Sequence, residues 1–299
     1  MNERASLTRS QAVARILSEL DGPIDVKAFA ERVLALAPST AKDPIKAVRS
    51  HLRNKEVGDT LVFLDPQTIV PLSIAMKGVR FRIPLTRQEV KHGSLAIDPA
   101  FQYYLKYDIE PESVELLDAR GRTLPTRLTT LRRQVEGLLG NQTVEQRAFR
   151  LGNWLNAQGA RRHDSVIVTI EDWEVGRFRL EVEPAKRVRR QELEERDREF
   201  ADLIFEQLEA SRSEMVIGYR AIYTAHARMS DPKGYPGNHC IAVIQRDERM
   251  LYDGWAIRYG DWRSPLEQML YGNAPAATET FTPDEGRRGY RLKASLWHQ

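Results

Sequence analysis

Basic side chains crowd into two stretches of this chain. Arg120, Arg122, Arg127, Arg132 and Arg133 follow one another with only Asp118 and Glu136 as nearby acids. Guanidinium groups held close together repel unless water or an anion separates them. Phosphate suits them, because the guanidinium fork meets two phosphate oxygens with parallel hydrogen bonds. A solvated basic hairpin is the alternative reading. The second stretch is Lys42, Lys46, Arg49 and Arg53, spaced by four, three and four residues. On a helix that spacing puts all four along one face, where they can follow phosphates or reach base edges. An ordinary polar helix face is the alternative there, since Asp43 and Glu56 dilute the charge.

Catalytic constellations are harder to assemble. His239 and Cys240 are adjacent, and neighbours on a helix point about 100° apart, which does not make a nucleophile and its base. Cys240 reads instead as a small buried hydrophobe. The six histidines, among them His51, His163 and His226, show no metal-ligand spacing. No Gly-x-x-x-x-Gly-Lys-Ser/Thr loop is present. A metal-dependent nuclease needs acids and a lysine on adjacent strands; Asp164, Glu171, Asp172 and Glu181 with Lys186 come nearest, and a solvated hairpin rim explains them equally well. Near the end, Tyr235, Trp255, Tyr259 and Trp262 with Arg258 and Arg263 could stack on unpaired bases. The same aromatics are read first as the core of a small helical unit.

With 299 residues, 41% apolar and 29% charged, the chain is long enough for two or three globular units and too apolar for wholesale disorder. Lys plus Arg exceed Asp plus Glu by 45 to 42, a net +3 that alone proves no polyanionic partner. One cysteine excludes an internal disulfide framework and a multi-cysteine zinc site. No apolar run reaches membrane-span length, and Met1 to Ser10 lacks a signal core, so the expectation is a cytoplasmic protein with no membrane partner.

The elements that must hold these side chains fall into three segments. In residues 6–75, Val13, Ile16, Leu17 and Leu20 mark a helix capped by Thr8 or Ser10 and stopped by Asp21-Gly22-Pro23. Phe29, Val33, Leu34 and Leu36 mark a second, and Ile45, Val48 and Leu52 a third capped by Ser39 or Thr40. Residues 60–64 and 68–72 around Asp65-Pro66-Gln67 read as strand, turn, strand. Three helices closed by a hairpin predict a winged helix. Residues 77–184 are rich in strand patterns: 79–85 alternates strictly, Thr86 and Glu89 have capping-box spacing, and further strands are expected at 94–97, 113–117, 123–128, 165–170 and 177–182. Residues 147–158 read as helix. Residues 186–299 are read as mainly helical, with helices over 190–212, 214–229 and 239–250 and a short strand or packed turn at 255–259. The fold class expected is α+β multidomain.

Two resemblances sharpen this. The pieces SQAVARILSEL, DGPID, KAFAERVLAL and STAKDPIKAVRSHLRN resemble the winged helix-turn-helix family called HARE-HTH, found attached to chromatin regulators and bacterial restriction proteins. The pieces FRIPLTRQEVKHGSLAI and LGNWLNAQGARRHDSVIVTI resemble the B-three DNA-binding pseudobarrel of plant transcription factors, whose relatives serve as target-recognition domains of restriction endonucleases. Where that family has Ser-Asp before Val this chain has Gln88-Glu89-Val90, and the family's glycine-tryptophan strand is not recognisable. The resemblance implies two arms that grip a major groove. The first comprises Thr86, Arg87, Lys91, His92 and Ser94; the second lies within Thr123 to Arg133 and carries Arg127, Arg132 and Arg133.

The reading is therefore a double-stranded DNA-binding protein without catalysis, metal or cofactor of its own. The winged helix would hold phosphates through Lys42, Lys46, Arg49 and Arg53, and the arms would read bases. The alternatives are a specificity subunit or nuclease of a restriction or defence system, with a separate catalytic or regulatory protein as partner, and a protein-interaction scaffold. A homodimer through the 190–212 helix is a further partner reading.

Overall fold

The computed structural model describes residues 7–54, 59–106, 108–137 and 140–262, with backbone alone for 133–137 and 140–142. It is a mixed helix-and-sheet protein, with four small sheets among the described residues. Among the described residues no helix is long and apolar enough to cross a membrane.

The N-terminal helices form where their apolar spacing and caps place them. α1 (Arg9–Glu19) starts at Thr8, whose hydroxyl and Gln11 close a reciprocal capping box. α2 (Val26–Leu36) is capped by Asp25. α3 (Pro44–Leu52) is capped by Asp43 rather than Ser39 or Thr40, because Pro44 fits the first helical position, where no N–H is needed. Ser39 instead accepts from the Ala41 N–H and from Arg9. β1 (Ile24–Asp25), β2 (Leu61–Phe63) and β3 (Thr68–Pro71) form an antiparallel sheet in the order β1-β3-β2. Val13, Phe29, Val33, Val48, Leu52 and Ile69 make a core of their own under it.

α4 (Leu72–Met76) leads into β4 (Arg80–Pro84). After it come α5 (Arg87–His92), β5 (Ser94–Ala96), β6 (Glu115–Leu117), β7 (Leu128–Gly137), β8 (Gly140–Arg150), α6 (Gly152–Ala157), β9 (Ser165–Asp172) and β10 (Arg177–Glu183). Two expectations fail here. Residues 123–128 make a single bridge, Thr123 to Leu117, and the strand begins at Leu128. The expected 147–158 helix is strand as far as Arg150, because Ala148 and Phe149 are held between β5 and β7. Phe149, Leu151, Trp154 and Leu155 satisfy a strand end followed by one helical turn as well as they satisfy one helix.

The C-terminal segment contains α7 (Arg190–Ala210), β11 (Met215–Ile217), α8 (Gly218–Arg228), β12 (Gly237–Asn238), α9 (Cys240–Arg246), β13 (Met250–Tyr252) and β14 (Ala256–Tyr259). It is less helical than expected: residues 215–217, read as the start of one helix, and Met250, read as the end of another, pair instead with β14 in the sheet β11-β14-β13. β12 joins the edge of the central sheet, whose order is β12-β4-β9-β10-β6. Phe81, Phe101, Phe149 and Phe178 fill the space between that sheet and β5-β8-β7, with the Phe101 ring 4.7 Å from Phe178 and 5.3 Å from Phe149. The same core runs on through Phe200, Ile204, Ile222 and Ile244. The apolar stripe of α7 is thus packed inside the chain.

β4 shows the cost of that cover. Val79, Phe81, Ile83 and Leu85 are buried as their alternation requires, yet Arg82 on the opposite face is also 1% exposed. Its guanidinium pairs with Glu183 and donates to the Tyr235 hydroxyl, 2.8 Å away. A buried cation needs such a partner.

Candidate nucleic-acid interface

α5 starts at the Pro84 end of β4. Thr86 and Glu89 form the expected capping box, and Glu89 goes further: one carboxylate oxygen accepts from the Thr86 N–H and hydroxyl, the other from the Ala96 N–H at 3.0 Å. This buried acid therefore fastens the helix to β5. Gly93 ends α5 in the left-handed conformation, φ 59°, and its carbonyl accepts from the Leu151 N–H at 2.8 Å. Arg87, Lys91 and His92 are exposed, and none has a hydrogen-bond or ion-pair partner among the described residues. Ser94 departs from the expectation. It is fully buried in β5, so its hydroxyl does not face solvent.

β7 and β8 form a ribbon of ten paired rungs, from Leu128↔Phe149 to Gly137↔Gly140. At about 3.4 Å per residue it is about 30 Å long. β5 pairs only with its root, Ser94↔Arg150 to Ala96↔Ala148, and the Ile97 N–H adds one bond to the Arg147 carbonyl. Beyond Arg147 the ribbon runs as two strands alone, a shape a major groove admits.

The root gathers the cations. The Arg150 N–H donates to the Arg127 carbonyl at 2.8 Å, and Arg150 lies opposite Ser94. The lateral order is Ser94, Arg150, Arg127, so at one strand spacing each the base of α5 and Arg127 are about 10 Å apart. Arg127 and Arg150 are exposed without an acidic partner among the described residues. Farther along, Arg147 is 3.7 Å from Asp98, and Arg132 Nε donates to Glu145 at 3.0 Å. Thr130 lies opposite Arg147 with both exposed. The side chain of Arg133 lies outside the described residues.

Sequence reasoning missed Arg147 and Arg150 because it put them in a helix. The available signal was the β-branched pair Thr143-Val144, followed by Glu145, which is able to face Arg132 across a hairpin. The five-arginine cluster also divides. Asp118 accepts from the Arg120 and Arg122 N–H groups and pairs with the Arg122 guanidinium at 2.6 Å. The Arg122 backbone N–H, then its side chain, hold the Asp118 carboxyl below the usual range. Arg122 is therefore matched, and Arg120 sits in that turn rather than on the ribbon.

The row on α3 is broken too. Lys42 precedes the helix and Arg53 caps its end, leaving Lys46 and Arg49 on α3 itself. Arg49 donates to the Pro66 carbonyl at 2.7 Å, and the Arg53 guanidinium lies 5.6 Å from the Phe63 ring centre. These two hold the hairpin to the helix. Lys42 and Lys46 remain exposed, without a partner for their ammonium groups among the described residues. Glu56 lies outside the described residues.

Three of the acids read as a catalytic alternative are engaged within the fold. Asp164 is buried with both oxygens accepting backbone N–H groups, Glu171 pairs with Arg179 at 2.6 Å, and Glu181 lies 3.7 Å from Arg80. Among the described residues no group of three His, Cys, Asp or Glu is arranged to hold a metal. Cys240 is buried, which raises its thiol to about 12, and His239 caps α9. Of the aromatics expected in a helical core, Trp255 is 51% exposed on the β13–β14 turn, while Arg258 stacks on Trp262 at 4.1 Å. Arg263 lies outside the described residues. No family model, curated protein or solved structure matches this chain.

Proposed function

We propose that this chain binds double-stranded DNA without catalysis of its own, reading a major groove with α5 and the β7–β8 ribbon. One observation carries the reading: Arg127 and Arg150 adjoin at the root of a two-stranded ribbon, Arg87 and Lys91 stand on the helix that leads into Ser94 opposite Arg150, and none of the four has a carboxylate partner among the described residues. Uncompensated guanidiniums beside a groove-sized projection suit a polyanion whose base edges present acceptors, as guanine does. Arg127 and Arg150 at the root, with Arg132, Thr130 and Arg147 farther out, supply donors for base edges, and Lys91 suits phosphates.

In this reading the central strands with their two arms are the pseudobarrel. The order α1, β1, α2, α3, β2, β3 supports a winged helix whose Lys42 and Lys46 touch phosphates. That unit joins β4 at its Arg80 end through α4, whereas α5 leaves from the Pro84 end. The two contacts would therefore fall on separate stretches of a duplex. Mobility-shift titration of the full chain tests the proposal. Arg127→Ala and Arg150→Ala should each weaken binding to a preferred duplex by about 1–3 kcal/mol where they touch DNA. Unchanged affinity in both would refute the arm assignment.

A further inference from the structure

Five more basic side chains lie beside the start of α5. Arg161, Arg162 and His163 form the loop before β9, and Lys186 and Arg187 lie in the turn after β10. All five are exposed, and none has an ion-pair partner among the described residues. The acids nearest in the chain are already taken: Glu181 lies beside Arg80, Glu183 pairs with Arg82 and Glu192 with Arg189.

Their convergence has a definite cause. Asp164 is buried, and its two oxygens accept from the Arg161 N–H and the Ala185 N–H, each at 2.8 Å. One carboxylate thus ties the two basic turns together. The loop is also laced to the root of the first arm, since the His163 N–H donates to the Leu85 carbonyl and the Leu85 N–H to the Asp164 carbonyl, at 3.1 and 2.8 Å. His163 has φ 73°, the one non-glycine residue with positive φ among those described. A side chain held in that region is a cost that the surrounding bonds must sustain. The result is a fixed basic ledge adjoining α5.

We infer that this ledge is a phosphate grip for the DNA backbone next to the groove that α5 and the ribbon read. Arg161, Arg162, Lys186 and Arg187 make the contacts, and Asp164 is a positioning residue that keeps the two turns together. The inference rests on the DNA reading above. It adds a sequence-independent contact, because phosphates carry no base information.

Full-length chain and a random-sequence duplex, titrated by fluorescence anisotropy across a potassium chloride series, test it. One phosphate contact changes the slope of log affinity against log salt by about 0.9, which at 0.15 M is about 5-fold in affinity. Arg161→Ala with Arg162→Ala should lower the slope by about 1.8 and weaken binding about 30-fold. Lys186→Ala with Arg187→Ala should do the same, and neither pair should alter which sequences are preferred. Asp164→Asn should also lower the slope with every cation still present, an effect that simple loss of folded protein does not produce. His163→Gly, which relieves the backbone and keeps the turn, should unfold at the parent's urea midpoint or above it, a check on the folding of the loop independent of Asp164. If the parent binds and both double variants keep its slope and affinity, the grip is refuted while the arms stand. If the parent itself fails to bind at low salt, the DNA reading fails and the grip with it.

Discussion

Gly93→Ala should separate α5 from the rest of the proposed interface. A methyl group built on Gly93 would lie 2.4 Å from the Gly152 Cα and 3.1 Å from its nitrogen. Carbon atoms settle at 3.5–4.0 Å, so the end of α5 must withdraw by about 1 Å or more. That movement breaks the 2.8 Å bond from the Leu151 N–H to the Gly93 carbonyl, a net loss of about 1 kcal/mol. The left-handed φ of 59° adds about 1–2 kcal/mol for any residue with a Cβ. Misfit in a packed site adds about 1–3 kcal/mol, for a total of about 3 kcal/mol or more. Gly152→Ala is the control, because its methyl would sit 3.5 Å from Gly93 in ordinary contact. At the first position of α6 alanine should be neutral or stabilise by up to about 1 kcal/mol. Urea unfolding of the two variants, with DNA affinity measured beside it, is the assay. A Gly93→Ala protein within about 1 kcal/mol of the parent, or one no less stable than Gly152→Ala, would refute the packing argument.

Arg132 must leave Glu145 to meet DNA, so the two partners should act oppositely. Arg132→Ala should weaken binding about 5-fold or more, whereas Glu145→Gln should strengthen it about 1.5- to 5-fold, the worth of an exposed ion pair; equal losses in an anisotropy titration would contradict this. Acid should destabilise the fold through two buried histidines. Burial lowers His226 to about 3, and burial followed by the charge of Arg246 does the same to His239, against an ordinary value of 6.5. Both stay neutral in the native state while the unfolded chain takes up protons below 6.5, so their contribution is whole above that pH and falls as pH drops toward 3. Between pH 7.5 and 5 the loss is about 2 kcal/mol each, read as a lower urea midpoint. It should shrink in His226→Gln with His239→Asn, and an unchanged pH slope in that double variant would assign the effect elsewhere.

Local signals in the sequence served where local physics decides. The caps at Thr8 and Thr86, the apolar stripes of α1–α3 and the alternation through Phe81 and Ile83 all specify their elements from nearby residues. Decisions taken between distant segments were hidden. Phe149 is strand because Leu95 and Leu128 flank it, and Met215 to Ile217 is strand because residues 256–258 arrive beside it. Arg82 looked like the solvent side of an alternating strand until Glu183 and Tyr235, far along the chain, closed over it. For the proposed interface, Arg87, Lys91 and Arg127 were named by position, whereas Arg150 enters the proposal only through strand register. Ser94 and Arg122 show the converse: a polar residue type does not reveal that its side chain is buried or already paired.

Selection of binding sites from a random pool of DNA duplexes, run with the parent chain and with Arg127→Ala plus Arg150→Ala, tests the central claim most directly. The account predicts an enriched sequence for the parent and its loss in the double variant. Retention of no duplex at low salt, or the same enriched sequence from both proteins, would contradict it.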